Sequence, residues 1–153
     1  MVKIITLWEP YATLIAQGFK KYETRHWYTT YRGPLLIHAA KRRPTAAEMA
    51  NFKSLLGFEP DINLGCVVAI TRLDDCLRMV PYPERLAPRG EIHIETQAPR
   101  ERDLGLWEPK RFAWELKLLL RLIEPIPWKG QQGIKPVPDE LKSLIYQELG
   151  DHG

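Results

Sequence analysis

The order in which β-rich and helical segments follow one another constrains this chain most. Short β-branched runs occur at irregular intervals, one helical segment comes early and another late, and the regular strand and helix alternation of a doubly wound parallel sheet is missing. The expected fold is therefore α+β: a small, mainly antiparallel β-barrel or curved sheet with flanking helices. A length of 153 residues, 44% of them hydrophobic and 27% charged, suits one domain with one core and excludes a disordered chain.

Local chemistry supplies the segments. Val2 to Leu7 reads as a strand. Trp8-Glu9-Pro10 opens a helix with proline in its first turn, an apolar stripe of Leu14 and Ile15, and a stop at Gly18. Lys21 to Tyr28 mixes aromatic and β-branched residues with charges, and Gly33-Pro34 separates it from an apolar strand at Leu35 to Ala40. Thr45 followed by Glu48 predicts a capping box heading a helix that carries Met49, Phe52, Leu55 and Leu56 up to Gly57. Leu64 to Leu73 predicts a central strand continuing toward Met79. Arg111 to Leu122 predicts a long strand, since Pro125, Pro127 and Gly130 disfavour a helix there. Pro81 to Gly105 predicts a long mobile loop, either a lid or an insertion, relieved only by Ile92-His93-Ile94. Asp139 to Leu149, with Leu141, Leu144, Ile145 and Leu149 on one face, closes the chain as a helix.

Charge is unevenly placed. From Lys20 to Arg43 seven basic residues face the single Glu23, a net +6, whereas the remainder carries −3. Trp27, Tyr28 and Tyr31 are interleaved with these cations, and rings among cations suit nucleic acid, with charge for phosphate and ring faces for bases. No apolar run spans a bilayer, and the strand pattern begins at once without a cleavable apolar leader, so a cytoplasmic protein is expected. Cys66 and Cys76 lack metal-ligand spacing and read as reduced structural thiols. Phosphate-binding, dinucleotide, zinc-protease and serine-hydrolase motifs are absent, and neither a metal nor an organic cofactor is indicated.

What remains is the octet Gly18-x-Lys20-x-x-Glu23-x-Arg25. It resembles the GxKxxExR signature of ASCH domains, in the PUA-like superfamily of small β-barrels associated with RNA and modified bases. Leu7-Trp8-Glu9-Pro10, Tyr31-Arg32-Gly33, Ile37-His38-Ala39-Ala40-Lys41, Phe112-Ala113-Trp114-Glu115-Leu116 and Pro127-Trp128-Lys129-Gly130 extend the resemblance over about two-thirds of the chain. It implies a cleft between the first helix and the sheet that takes a nucleotide or base. Some relatives are amidohydrolases that deacetylate N4-acetylcytidine through a lysine, a threonine and a glutamate; others are ribonucleases or binding modules.

Carried over in the octet register, Lys20 matches the amidohydrolase lysine and Glu23 takes the place of its threonine. A one-residue slip gives Lys21 and Thr24 instead, and the further carboxylate is Asp74, Asp75 or Glu115. A lysine works as base or nucleophile only when its pKa is lowered by burial or neighbouring cations, and Glu23 opposes that. The binding set is Trp8, Arg25, Trp27, Arg32, His38, Lys41 and Lys129, with Arg42, Arg43 and Gln131 as secondary candidates and Trp114 assigned to the core. Three readings stand: a binder of single-stranded RNA or a modified nucleoside, a hydrolase using the same cleft, and a protein-interaction module contacting its partner through the Pro81 to Gly105 loop.

Overall fold

The computed structural model describes residues 1–81 and 89–152, with side chains through Gly150. In chain order the elements are β1 (Lys3–Leu7), α1 (Tyr11–Ala16), β2 (Tyr22–Arg25), β3 (Gly33–Ala39), α2 (Ala46–Leu56), β4 (Cys66–Val80), β5 (Glu91–His93), α3 (Pro99–Asp103), β6 (Phe112–Pro127), β7 (Lys135–Pro136) and α4 (Asp139–His152). The sheet runs β2-β6-β4-β3-β1-β7, with β5 added alongside β4. Its pairs are antiparallel except β1 with β3 and β4 with β5. Expectation and structure agree on an α+β fold, here a mixed sheet curled into a half-barrel with flanking helices.

A parallel pair cannot be closed by a hairpin, so the chain between β1 and β3 must cross over, and this crossover carries α1. Five of the six α1 residues are buried, and the helix packs on β1, β3, β4 and β6. Strand alternation divides the apolar residues between two faces. Ile5, Leu7, Leu35, Ile37 and Ala39 join Ala12, Ile15 and Trp114 in one core. Ile4, Leu36, Val67, Leu122 and Ile126 meet Leu141 and Ile145 of α4 in another. Register shifts interrupt the β4 and β6 pairing at three places, each adding bend and twist to the two longest strands.

Several expectations are corrected. Pro10 stands just ahead of α1, its carbonyl accepting from the Leu14 amide at 2.9 Å. The Glu9 carboxylate takes over capping, accepting from the amide and hydroxyl of Thr13 and from the Asn63 amide. Strand β6 continues past Leu122 to Pro127, because Pro125 falls in the irregular stretch between the Ala69–Arg121 and Val67–Ile126 pairs, where no ladder donor is required. Strand β2 is only four residues long; beyond it the chain leaves the sheet and Trp27 packs edge-on against Trp114, ring centroids 4.7 Å apart. The Pro81 to Gly105 segment is not one long loop, since β5 and α3 lie within it and Ile92, Ile94 and Leu104 are buried. Its stretch 82–88 lies outside the described residues. Thr45 and Glu48 form the expected capping box, and both cysteines are free and buried, with burial pushing their thiol pKa values up.

Strand β2 borders the sheet, and its outer backbone groups are satisfied by side chains. Glu101 of α3 accepts from the Lys21 amide at 2.8 Å and the Tyr22 amide at 3.4 Å, Glu23 accepts from the Thr24 amide, and Arg111 donates to the Thr24 carbonyl. Such cover keeps an edge from pairing with another chain. Replacing Glu101 by alanine leaves two amides unpaired, and a loss of about 1–3 kcal/mol is expected by urea denaturation, with faster amide exchange at Lys21 and Tyr22.

Candidate functional site

The octet begins where α1 ends. Gly18, at φ 81°, takes the left-handed position of a Schellman motif in which the Phe19 amide reaches the Leu14 carbonyl and the Gly18 amide that of Ile15. The turn sends Lys20 inward. Only 2% exposed, its ammonium donates to the Leu104 carbonyl just past α3 and lies 5.4 Å from the centre of the Tyr11 ring. Burial lowers the Lys20 pKa; Glu23 and Glu101 pull in the opposite direction. Glu23 is also buried and stands 3.7 Å from Arg25. Arg25 reaches on to donate to the Thr6 carbonyl at 3.3 Å, tying β2 to β1 across the open side of the half-barrel.

Beside Arg25 opens a cleft of about 850 Å³. It brings together six of the seven expected binding residues: Trp8, Arg25, Trp27, His38, Lys41 and Lys129. The seventh, Arg32, is elsewhere. It precedes β3, whose first residue pairs with Leu73, whereas the cleft lies at the other end of that strand. There Arg32 donates to the carbonyls of Thr29 and Tyr31, meets Asp75 at 3.4 Å and stacks on Tyr28. Neither Lys20 nor Glu23 lines the cleft, although Glu23 pairs with Arg25 at its edge. Of the slipped pair, Lys21 is exposed while Thr24 is buried and accepts from the Leu106 amide. Asp74 and Glu115 border a separate cavity of about 360 Å³ with Lys20 and Lys21. Partial burial, then Asp74 and Asp75, push the Glu115 carboxyl above its usual range.

Trp8 is 57% exposed, and the Arg42 guanidinium lies over its ring, 4.3 Å from the centroid. His38 is fully buried. One ring nitrogen meets the Trp128 carbonyl at 2.6 Å and the other the Thr6 hydroxyl at 3.2 Å. Burial lowers its pKa, so the neutral ring donates from Nε2 to Trp128 and accepts at Nδ1 from Thr6. The Thr6 oxygen accepts in turn from the Gln131 amide. His38 thus anchors the segment that carries Lys129. Sequence reasoning missed Thr6, Gly130, Gln132 and Gly133, and assigned no role to Glu101 or Leu104; the only local hint was the glycine spacing around Gln131 and Gln132. Among the described residues no three His, Cys, Asp or Glu side chains are placed to hold a metal ion.

The ASCH domain family profile matches residues 5–126. The chain belongs to the ASCH domain family. Activating signal cointegrator 1 of Homo sapiens is 31% identical over 103 residues, a match covering 62% of this chain and 17% of that protein. The Mus musculus protein of the same name is 34% identical over 89 residues, covering 53% and 15%. This ASCH chain therefore corresponds to a small part of those longer relatives. Among solved structures, ASCH from Zymomonas mobilis superposes with a TM-score of 0.57 at 16% identity, covering 95% of this chain and 94% of that one. A single-substitution variant of the same protein gives 0.55 at 15%, covering 95% and 96%. At such identity the likeness concerns the fold alone.

Two measurements check this geometry. A methyl group at Gly130 would stand 2.9 Å from the Thr6 hydroxyl oxygen and 3.0 Å from Cε1 of His38, so Gly130→Ala is expected to displace the 129–133 wall. Changed NMR shifts at Gln131 and in the His38 ring, with a lowered melting temperature, are the expected readout. Because folding lowers the Lys20 pKa, the native state holds that proton less tightly than the unfolded chain, and this group makes stability rise with pH from its native pKa up to 10.5. The unfolding free energy of wild type relative to that of Lys20→Met is accordingly expected to rise as the pH is raised toward about 10.

Proposed function

We propose that this ASCH domain binds single-stranded RNA or a modified nucleoside in the cleft that Trp8, Arg25, Trp27, His38, Lys41 and Lys129 line. The observation that carries the reading is the convergence of two indole rings with three cations on one opening of about 850 Å³. An opening of that size has room for a nucleotide. Stacking rings and cationic groups are what a flexible, unpaired strand requires, and the rings distinguish it from a purely electrostatic contact with duplex phosphates. Membership of the ASCH family and the similarity to activating signal cointegrator 1 are consistent with a nucleic-acid role.

The hydrolytic alternative has less support. A nucleophilic lysine must reach the reacting atom, whereas Lys20 is buried and engaged with the Leu104 carbonyl. Its lowered pKa follows from that burial.

Fluorescence anisotropy with a labelled single-stranded RNA tests the binding reading. Lys41→Glu and Lys129→Glu are each expected to weaken binding about tenfold at low salt. Where the lost contact is to phosphate, the slope of log affinity on log salt becomes shallower by about 0.7. Arg32→Ala, away from the cleft, is expected to bind like wild type. Equal binding by wild type and both charge reversals would overturn the proposal. Mass spectrometry of the RNA and of N4-acetylcytidine after incubation reports the alternative: products formed by wild type and lost in Lys20→Met would install a hydrolase.

A further inference from the structure

Trp8 lines the cleft with more than half its surface in solvent, an unusual position for a large ring. A partner is present, although it is not apolar. The Arg42 guanidinium covers the indole at 4.3 Å and is itself fixed, one of its nitrogens donating to both oxygens of Glu48 at 2.8 and 3.0 Å. Glu48 is held in turn by the amide of Thr45, from which one of its oxygens accepts at 2.9 Å, while the Thr45 hydroxyl accepts from the Glu48 amide. The Thr45 amide, then Arg42, hold the Glu48 carboxyl below its usual range. An unbroken chain of polar contacts therefore runs from the head of α2 to the indole plane.

An indole has two faces, and Arg42 occupies one. A guanidinium already paired with a carboxylate adds little to phosphate attraction, so the arrangement suits orientation better than charge. Resting on the binding role proposed above, we infer that Arg42 and Glu48 are positioning residues that hold Trp8 as a one-sided platform, its free face offered to an unpaired nucleobase at the cleft mouth. The ligand class narrows accordingly. A stacked base, more than the sugar-phosphate backbone, is what this part of the site recognises, and a paired base in a duplex cannot present its face there.

The test separates orientation from charge. Glu48→Gln keeps the capping box, which glutamine also forms, and keeps the positive Arg42 and Trp8, but removes the carboxylate that fixes the guanidinium. Arg42→Lys keeps the charge and loses the planar fork. Labelled oligouridylate and an abasic strand of equal length are titrated against wild type, both variants and Trp8→Ala, with melting temperatures recorded for each. Both brace variants and Trp8→Ala are expected to lose about three- to tenfold in affinity for oligouridylate while binding the abasic strand within about twofold of wild type. The Trp8 indole N–H resonance, assigned by its loss in Trp8→Phe, is expected to move in ligand-free Glu48→Gln. An unmoved resonance, or parallel losses on both strands, would overturn the platform while leaving the binding role in place. Wild type that binds neither strand would remove the binding role itself.

Discussion

A lysine ammonium withdrawn from water must find an oxygen, and in this fold Lys20 finds it on the backbone of Leu104, 84 residues away in sequence. Much of the surrounding structure depends on that contact. It draws the end of α3 against the turn after α1, where Leu104 packs with Leu14, Phe52 and Leu56. It also brings Glu101 within reach of the β2 amides and Leu106 within reach of Thr24. A long stretch with little regular structure of its own thereby becomes the cover of a sheet edge. Lysine suits the position because its four-carbon stem can pack in an apolar wall while its head meets a single carbonyl.

The second constraint is topological. Parallel pairing of β1 with β3 forces the intervening chain across the half-barrel, and the crossover delivers Trp8 at one end of α1 and Arg25 at the end of β2 to the same opening. Arg25 then spans from Glu23 to the Thr6 carbonyl, so the side of the sheet that lacks a ladder is bridged by a side chain. His38 and Thr6, adjacent in the β1–β3 register, hold the opposite wall. The cleft walls come from segments remote in sequence, and two polar junctions keep them in place.

What could be read from the sequence divides by distance along the chain. The Thr45 and Glu48 box, the strands β1 and β3, and the burial of Trp114 depend on neighbours within a few residues or on hydrophobicity alone, and all are legible. The octet ends at Arg25 beside the cleft, although its pattern does not show which other side chains line that opening. Arg32 was assigned to the cleft because charge carries no direction; its place follows from the pairing of Gly33 with Leu73, which no local pattern encodes. The roles of Glu101 and Leu104 were hidden for the opposite reason, since both lie in a polar, proline-rich stretch whose order comes from partners some 80 residues distant.

The fate of the +6 segment has a consequence for selectivity. Lys20 is buried, Arg32 is latched to Asp75, and Arg42 is paired with Glu48. Of the lysines and arginines in that segment only Arg25 and Lys41 line the cleft, and Lys129 joins them from a distant part of the chain. Three of the segment's seven basic residues are thus buried or paired within the chain, and fewer of them reach the opening than the sequence suggests. On the binding role proposed above, the three cations supply part of the attraction there and the two rings supply the rest. On that same role, the shape and ring chemistry of the opening select among ligands by what they expose as well as by how much charge they carry.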